Sequence, residues 1–394
     1  MAERRSMRRR SVLVAYDCIF PATKGGAERW YARLAADAAA GGWAVTYATR
    51  TQWPVGDVPQ IDGVIVAGMG GSGDLYTTEG RRRILPPVRY GVAIFWFLLR
   101  RRRSFDVVHL ASFPYFSLIG ARAALIGSGT PVFVDWHEVW SRAYWRAYVG
   151  TLGGTIGFAV QAACLRLPHA SFTTGRRIAT RLGRLGVRGE VVVLPGLLSP
   201  AGVPWVDRHP ADPTEVLFVG RLIPEKRAPL AVDAIGAAAR RSPGLSGRII
   251  GDGPDGERMR RAIASAPDVA IDACGFVAEE ELRSAISEAL CLLVCSEREG
   301  WGLVAAEAIA VGTPVVVVDA PDSLAAERVV HGVTGLVVDG SVDALADAII
   351  EVRARGSALR RSTSRWFAEH GGDWEIARST AMVVSAWTQR VDER

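Results

Sequence analysis

Residues 291–318 read CLLVCSEREGWGLVAAEAIAVGTPVVVV. A short apolar run, CLLVC, gives way to a charged, glycine-bearing loop. A stretch of helical spacing follows at Leu303–Val311, and Gly312-Thr313-Pro314 then leads into the β-branched run PVVVV. Strand, loop, helix and strand in that order form a βαβ unit. Neither apolar run alternates with polar residues, so both are expected to be parallel strands buried on two faces.

The same rhythm extends in both directions. Upstream lie EVLFVG, GRIIG and VAIDACG, separated by helical stretches near 229–241, 257–264 and 279–289. Earlier still, SVLVAY, AVTYAT, GVIVAG, DVVHLAS, PVFVDW and SFTT alternate with helical segments. Between the two series, residues 195–213 carry prolines at 195, 200, 204, 210 and 213 and show no periodicity, which marks a connector. The sequence therefore predicts an α/β chain of two doubly wound domains, 1–197 and 198–372. A last helix, in 373–394, is expected to cross back onto the first domain. Ligands of such sheets bind outside the carboxyl ends of the strands, so both domains are expected to present loops to a cleft.

Composition narrows the function. The chain has 394 residues, 49% of them hydrophobic and 22% charged, too apolar for a disordered protein. Its five cysteines include no C-x-x-C pair, which excludes a disulfide framework and a zinc ribbon, and a reducing compartment is expected. Residues 1–200 hold 26 Lys+Arg against 12 Asp+Glu, a balance of +14; residues 201–394 stand at −8, giving +6 in all. Only Lys24 and Lys226 are lysine, so the excess reads as arginine coding bias, and no nucleic-acid partner is expected. The basic N-terminus precedes an apolar stretch too short for a secretory leader. The uncharged run between Arg146 and Arg166 holds four glycines, two threonines and Gln161, and is expected to pack as a helix on the protein.

Within the opening stretch, Glu299 follows a strand, and Glu307 sits eight residues on, on the order of 10 Å away along a helix of 1.5 Å rise per residue. Gly300, Trp301 and Gly302 lie between them at a helix N-terminus, a natural seat for an anion. Arg221 and Lys226 follow the strand EVLFVG as convergent cations suited to a pyrophosphate. Gly25 and Gly26 follow the first strand and open its helix, where the backbone can approach a phosphate.

The block E-G-W-G-L-x-x-x-E-A-x-A-x-G-T-P-V-V resembles the hallmark of the family-four retaining glycosyltransferases (glycosyl transferases group 1). The likeness continues in FVGRLIPEK (218–226), IIGDGP (249–254), CGFV (274–277) and GVTGLVV (332–338). It is fainter in KGGAER (24–29), FDVVH (105–109) and VDWHE (134–138). The resemblance implies the GT-B fold, two Rossmann-like domains facing a central cleft, and transfer of a hexose from a UDP- or GDP-sugar to a hydroxyl acceptor. It implies that Glu299 holds the sugar hydroxyls, Glu307 the ribose, and Arg221 and Lys226 the diphosphate, with the amides of Gly300, Trp301 and Gly302 nearby. His137 would sit against the donor sugar near the reacting carbon, and His109 near the acceptor. The family's implied mechanism is retention by front-face attack, the leaving diphosphate taking the acceptor's proton.

No D-x-D occurs, so no metal and no separate cofactor are expected. Gly251-Asp-Gly253-Pro-Asp-Gly256 spells G-x-G-x-x-G after a strand, and Asp272 stands about twenty residues on. An NAD-dependent enzyme is therefore one alternative, although Pro254 removes an N–H from any phosphate cradle; a non-catalytic nucleotide-sugar-binding subunit is the other. Finally, Arg81–Arg83 and Arg100–Arg103 bracket VAIFWFLL (92–99). Rings flanked by arginines suit either a core helix or an anionic membrane surface, with the protein cytoplasmic at the inner face.

Overall fold

The computed structural model describes residues 9–23, 25–54, 56–71, 83, 85–199 and 212–394. The N-terminal basic segment, Lys24, Arg81, Arg82 and most of the proline-rich connector lie outside them. The described residues form two compact units: those up to Gly196 together with Ile376–Arg394 make one, and Leu197–Glu375 the other.

The first unit runs β1 (Ser11–Ala15), α1 (Gly26–Ala40), β2 (Ala44–Arg50), β3 (Val64–Met69), α2 (Leu85–Arg100), β4 (Val107–Ala111), α3 (Tyr115–Ala124), β5 (Val132–Trp136), α4 (Arg142–Arg166), β6 (Ala170–Thr173), α5 (Arg176–Arg184) and β7 (Val191–Val193). Its strands form a parallel sheet in the order β3-β2-β1-β4-β5-β6-β7. The chain winds outward from β1 to β3 and then returns to β4, so the winding reverses between β1 and β4. All five residues of β4 and of β5 are buried.

The second unit runs β8 (Glu215–Val219), α6 (Ala228–Arg241), β9 (Ser246–Ile250), α7 (Gly256–Ala264), β10 (Ile271–Gly275), α8 (Glu279–Glu288), β11 (Cys291–Val294), β12 (Arg298–Glu299), α9 (Leu303–Ala310), β13 (Val315–Val318), β14 (Asp322–Ser323), β15 (Gly335–Val338) and α10 (Val342–His370), which kinks at Gly356. The main sheet is parallel in the order β10-β9-β8-β11-β13-β15, with its reversal between β8 and β11. The missing alternation in PVVVV has a direct cause. Val316 and Val318 enter one core with Val216, Phe218 and Leu293, while Val315 and Val317 enter another with Leu217 and Leu292. Period two persists, but both faces are apolar.

Three local expectations change. The last helix, expected in 373–394, begins only after a 3-10 turn, Gly371–Trp374, and an extended Glu375; it is α11 (Ile376–Asp392) and belongs to the first unit. There it packs on α1, with Thr380 donating to Asp37 at 2.6 Å and Ser379 to the Gly196 carbonyl at 2.6 Å. β7 was not expected, because three valines are too short to show a period. The uncharged run lies in α4, which kinks at Val149–Gly150 and buries only one side, leaving Leu152 77% exposed. By length and composition alone, α4 is the one helix among the described residues long and apolar enough to cross a membrane.

Candidate functional site

In the second unit the loops leaving β8 and β11 meet at the point where the winding reverses, the position where open α/β sheets take ligands. A 3-10 turn, Pro224–Lys226, presents Lys226, whose amide is held by the Ile223 carbonyl at 2.9 Å. The Glu297 amide donates to the Glu225 carbonyl at 2.9 Å and ties the two loops together. β12 pairs with β14, and the Leu324 amide donates to the Glu299 carbonyl at 2.9 Å, which fixes the Glu299 backbone. The Lys226 ammonium forms an ion pair with the Glu299 carboxylate, both side chains 21% exposed. Arg298 and Glu225 pair alongside at 3.4 Å. Arg221 is exposed at the start of the same β8 loop. Two residues expected on different parts of one ligand, Lys226 and Glu299, thus lie in direct contact.

The loop enters α9 through Gly302, which has φ +87°, a left-handed conformation that favours glycine. A Cβ there would also stand 2.8 Å from the Ala325 Cα. No side chain caps the helix and no acidic residue occupies its first turn, so the amides at this end remain a seat for an anion. The helix starts at Leu303, as its spacing predicts, and Glu307, partly buried, falls in its second turn. Gly300 is likewise partly buried in the loop. The Trp301 indole turns into the core, edge-on to Trp374 at 6.1 Å, with the Arg328 guanidinium 5.3 Å from its ring centroid. Only the Trp301 backbone belongs to the loop surface. Burial pushes the Cys291 and Cys295 thiols up to about 12, consistent with core packing.

The G-x-G-x-x-G segment has a structural purpose of its own. A Cβ on Gly251 would collide with the Gly220 carbonyl, and one on Gly253 with the Leu222 carbonyl. Leu222 and Asp252 are joined there by a backbone bond of 2.8 Å. These glycines admit the neighbouring β8 loop at the place where a dinucleotide fingerprint would admit a pyrophosphate.

In the first unit, Gly25 caps α1 in an extended conformation, and nothing stands within 4 Å of a Cβ placed on Gly26. His137 follows β5, partly buried, with Nε2 3.2 Å from the Tyr31 hydroxyl. Burial lowers its pKa below the ordinary histidine value, outweighing the nearby Asp135 and Glu138 carboxylates, so the ring is neutral at pH 7. The structure corrects the expectation for His109. Its ring has no exposed surface: Nδ1 accepts the Trp387 indole N–H at 3.1 Å, and Nε2 lies 2.9 Å from Asp135 Oδ2. That closes it off from an acceptor.

Asp135, Tyr31, Trp30 and Trp387 were missed as a group. Asp135 Oδ2 also accepts the Trp30 indole N–H at 2.7 Å. The carboxylate is buried in β5, where a charge is costly unless paired. An aspartate inside an otherwise apolar strand, two residues before His137, was the available signal.

Comparison with known proteins bears on the family and the fold. The family description "Glycosyl transferase 4-like domain" matches residues 25–196, and "Glycosyl transferases group 1" matches 204–364. A GDP-mannose-dependent α-(1-6)-phosphatidylinositol dimannoside mannosyltransferase of Mycobacterium tuberculosis is 31% identical over 169 residues, 42% of this chain and 42% of that protein. A glycogen synthase of the same species is 31% identical over 208 residues, 50% of this chain and 49% of that one. The chain thus matches about half or less of the length of these curated relatives. Among solved structures, sucrose-phosphate synthase from Thermosynechococcus elongatus superposes with a TM-score of 0.79 at 19% identity, covering 98% of this chain and 100% of that one. Two Rossmann-like parallel-sheet units, matched in order by two glycosyltransferase domain families, place this chain in the GT4-type glycosyltransferases of the GT-B fold.

Proposed function

We propose that the protein transfers a hexose, with retention of anomeric configuration and without a metal, from a UDP- or GDP-sugar to a hydroxyl acceptor. The observation that carries this reading is the Lys226–Glu299 pair beside the uncapped N-terminus of α9, at the winding reversal of the second sheet. An anionic diphosphate arriving there would draw Lys226 and the α9 amides, with Arg221 from the β8 loop, and free Glu299 to accept hydrogen bonds from the sugar hydroxyls. Glu307, one turn into α9, is the candidate for the ribose. In the first unit, neutral His137 suits a contact with the sugar; Gly26 leaves open space near the α1 N-terminus, where a phosphate would require the Glu28 carboxylate beside Gly25 to turn aside. Acceleration would come from positioning and from electrostatic stabilisation of the departing diphosphate. The named relatives, one acting on a phosphatidylinositol mannoside and one a glycogen synthase, differ in acceptor, and we leave the acceptor class at a hydroxyl.

A transfer assay over GDP- and UDP-hexoses, with the anomeric coupling of the product read by NMR, tests this. An α-product from an α-donor supports the reading, and an inverted product refutes retention.

We also propose that the first unit docks on an anionic membrane surface, at the cytoplasmic face. α2 buries Tyr90, Ile94 and Leu98 but leaves Leu85, Val92 and Trp96 exposed, with Arg89 and Arg100 on the same helix. The Arg100 guanidinium lies 5.3 Å from the Trp96 ring centroid. A ring and guanidinium pair at a protein surface fits the headgroup level of an anionic bilayer. α4 adds Leu152 and Ile156 as exposed apolar side chains.

A further inference from the structure

Behind His137 lies a connected set of polar groups that the transfer reaction does not directly require. It begins on the C-terminal helix. An indole N–H only donates, so the 3.1 Å contact from Trp387 Nε1 makes His109 Nδ1 an acceptor. In a neutral ring the proton then sits on Nε2, 2.9 Å from Asp135 Oδ2. The same oxygen takes the Trp30 N–H at 2.7 Å. Burial raises the Asp135 carboxyl, yet His109, His137 and the Trp30 bond outweigh that effect and leave it below the ordinary carboxylate value. Asp135 is therefore a buried anion that accepts from Trp30 of α1 and has His109 Nε2 of β4 beside it at 2.9 Å. Its charge acts on Tyr31, whose hydroxyl is kept protonated by burial first and by this carboxylate second. Tyr31 stacks on Tyr16 at 4.8 Å, stands edge-on to His137 at 5.7 Å, and reaches its Nε2.

We propose that Asp135 and Tyr31, braced from behind by His109 and Trp387, are positioning residues that hold His137 in one tautomer. With the Tyr31 O–H pointed to the side of the carboxylate, whose charge favours that orientation, the tyrosine oxygen accepts from His137 Nε2–H across 3.2 Å. Nδ1 is left as the acceptor, with a fixed ring plane, for a hydroxyl of the bound sugar. The network draws on α1, β4, β5 and α11, so the returning C-terminal helix becomes part of the site's support as well as of its fold. The inference rests on the reading that His137 touches the donor sugar.

Tyr31→Phe removes one oxygen and keeps the ring stack, so it tests the claim with little risk to folding. The expected result is a fall of about tenfold in kcat with donor KM within about twofold. ¹⁵N spectra of the histidine rings should change from a single Nε2–H form of His137 to a mixture of tautomers. Trp387→Phe should move the His109 ring signals first and lower kcat less. Asp135→Asn should reproduce the tautomer change, because its amide N–H₂ competes with the donors around it. Unchanged kcat and unchanged His137 spectra in Tyr31→Phe overturn the proposal. His137→Ala separates the two levels. If it keeps full activity, the reading of His137 itself fails. If it is inactive while Tyr31→Phe and Trp387→Phe are normal in rate and spectra, only the positioning network fails.

Discussion

The Lys226–Glu299 loops of the second unit and the surroundings of His137 in the first are built in opposite ways. Lys226 and Glu299 come from the segments that follow β8 and β11, and they meet as charges beyond the carboxyl ends of these two central strands. His137 is backed by side chains from Tyr31 to Trp387, buried and mostly aromatic. A charged loop can be altered with little damage to the core, and its loss should appear in ligand binding. A buried network has no such independence, and its loss should appear in rate and in stability together.

The largest expected effect lies on the buried side. His137→Ala should lower kcat roughly a hundredfold, the scale of losing one aimed polar group in a reaction site, with the donor dissociation constant little changed. Weakened donor binding at unchanged kcat would erase the contrast between the two regions. Next come Glu299→Ala and Glu307→Ala, each expected to cut transfer at least tenfold, about 1.4 kcal/mol of transition-state stabilisation. The Glu307 loss should fall chiefly in donor KM. Unchanged donor kinetics in both variants would remove the charged loop from the site.

Gly302→Ala sharpens the comparison at the level of folding. The left-handed φ and the approach to Ala325 should cost about 1–3 kcal/mol, confined to the second unit. Urea unfolding followed by probes in each unit would show one transition shifted and the other in place. A shift of both, or of neither, contradicts it.

Much of the fold was legible because parallel strands leave runs such as PVVVV and PVFVD that few other structures need. Their apparent lack of alternation was the sign of two cores, and the residues confirm this one by one. Glu299 and Lys226 were legible because each stands near its motif's strand. Their mutual pairing was not, since 73 residues separate them and only the reversal between β8 and β11 brings them together. The return of the last helix to the first unit was expected, but the His109–Trp387 contact spans 278 residues, and no local pattern says which side chain of α11 meets which strand. The G-x-G-x-x-G segment misleads for a related reason: glycine serves close backbone approach of any kind, here of one loop to another.

The smallest effect concerns pH. Burial lowers the pKa of His137 and of His169 below 6.5, so the unfolded chain binds these protons first. The stability these neutral rings contribute is present above about pH 6.5 and is lost as the pH falls through it. Unfolding midpoints of the first unit measured from pH 8 to pH 5 should decline in that window, and His137→Gln should flatten the decline. A midpoint that rises as the pH falls there would contradict the burial argument.

The central claim is that the Lys226–Glu299 loops hold a nucleotide diphosphate sugar by protein cations alone. Calorimetric titration of GDP-mannose, UDP-glucose and NADH into the wild type and a Lys226→Ala, Arg221→Ala double variant, all in excess EDTA, tests it most directly. The account predicts saturable binding of one nucleotide sugar despite EDTA, weakened at least tenfold in the double variant, and no binding of NADH. Nucleotide-sugar binding that requires Mg²⁺ or Mn²⁺, or that survives unchanged without the two cations, would contradict it.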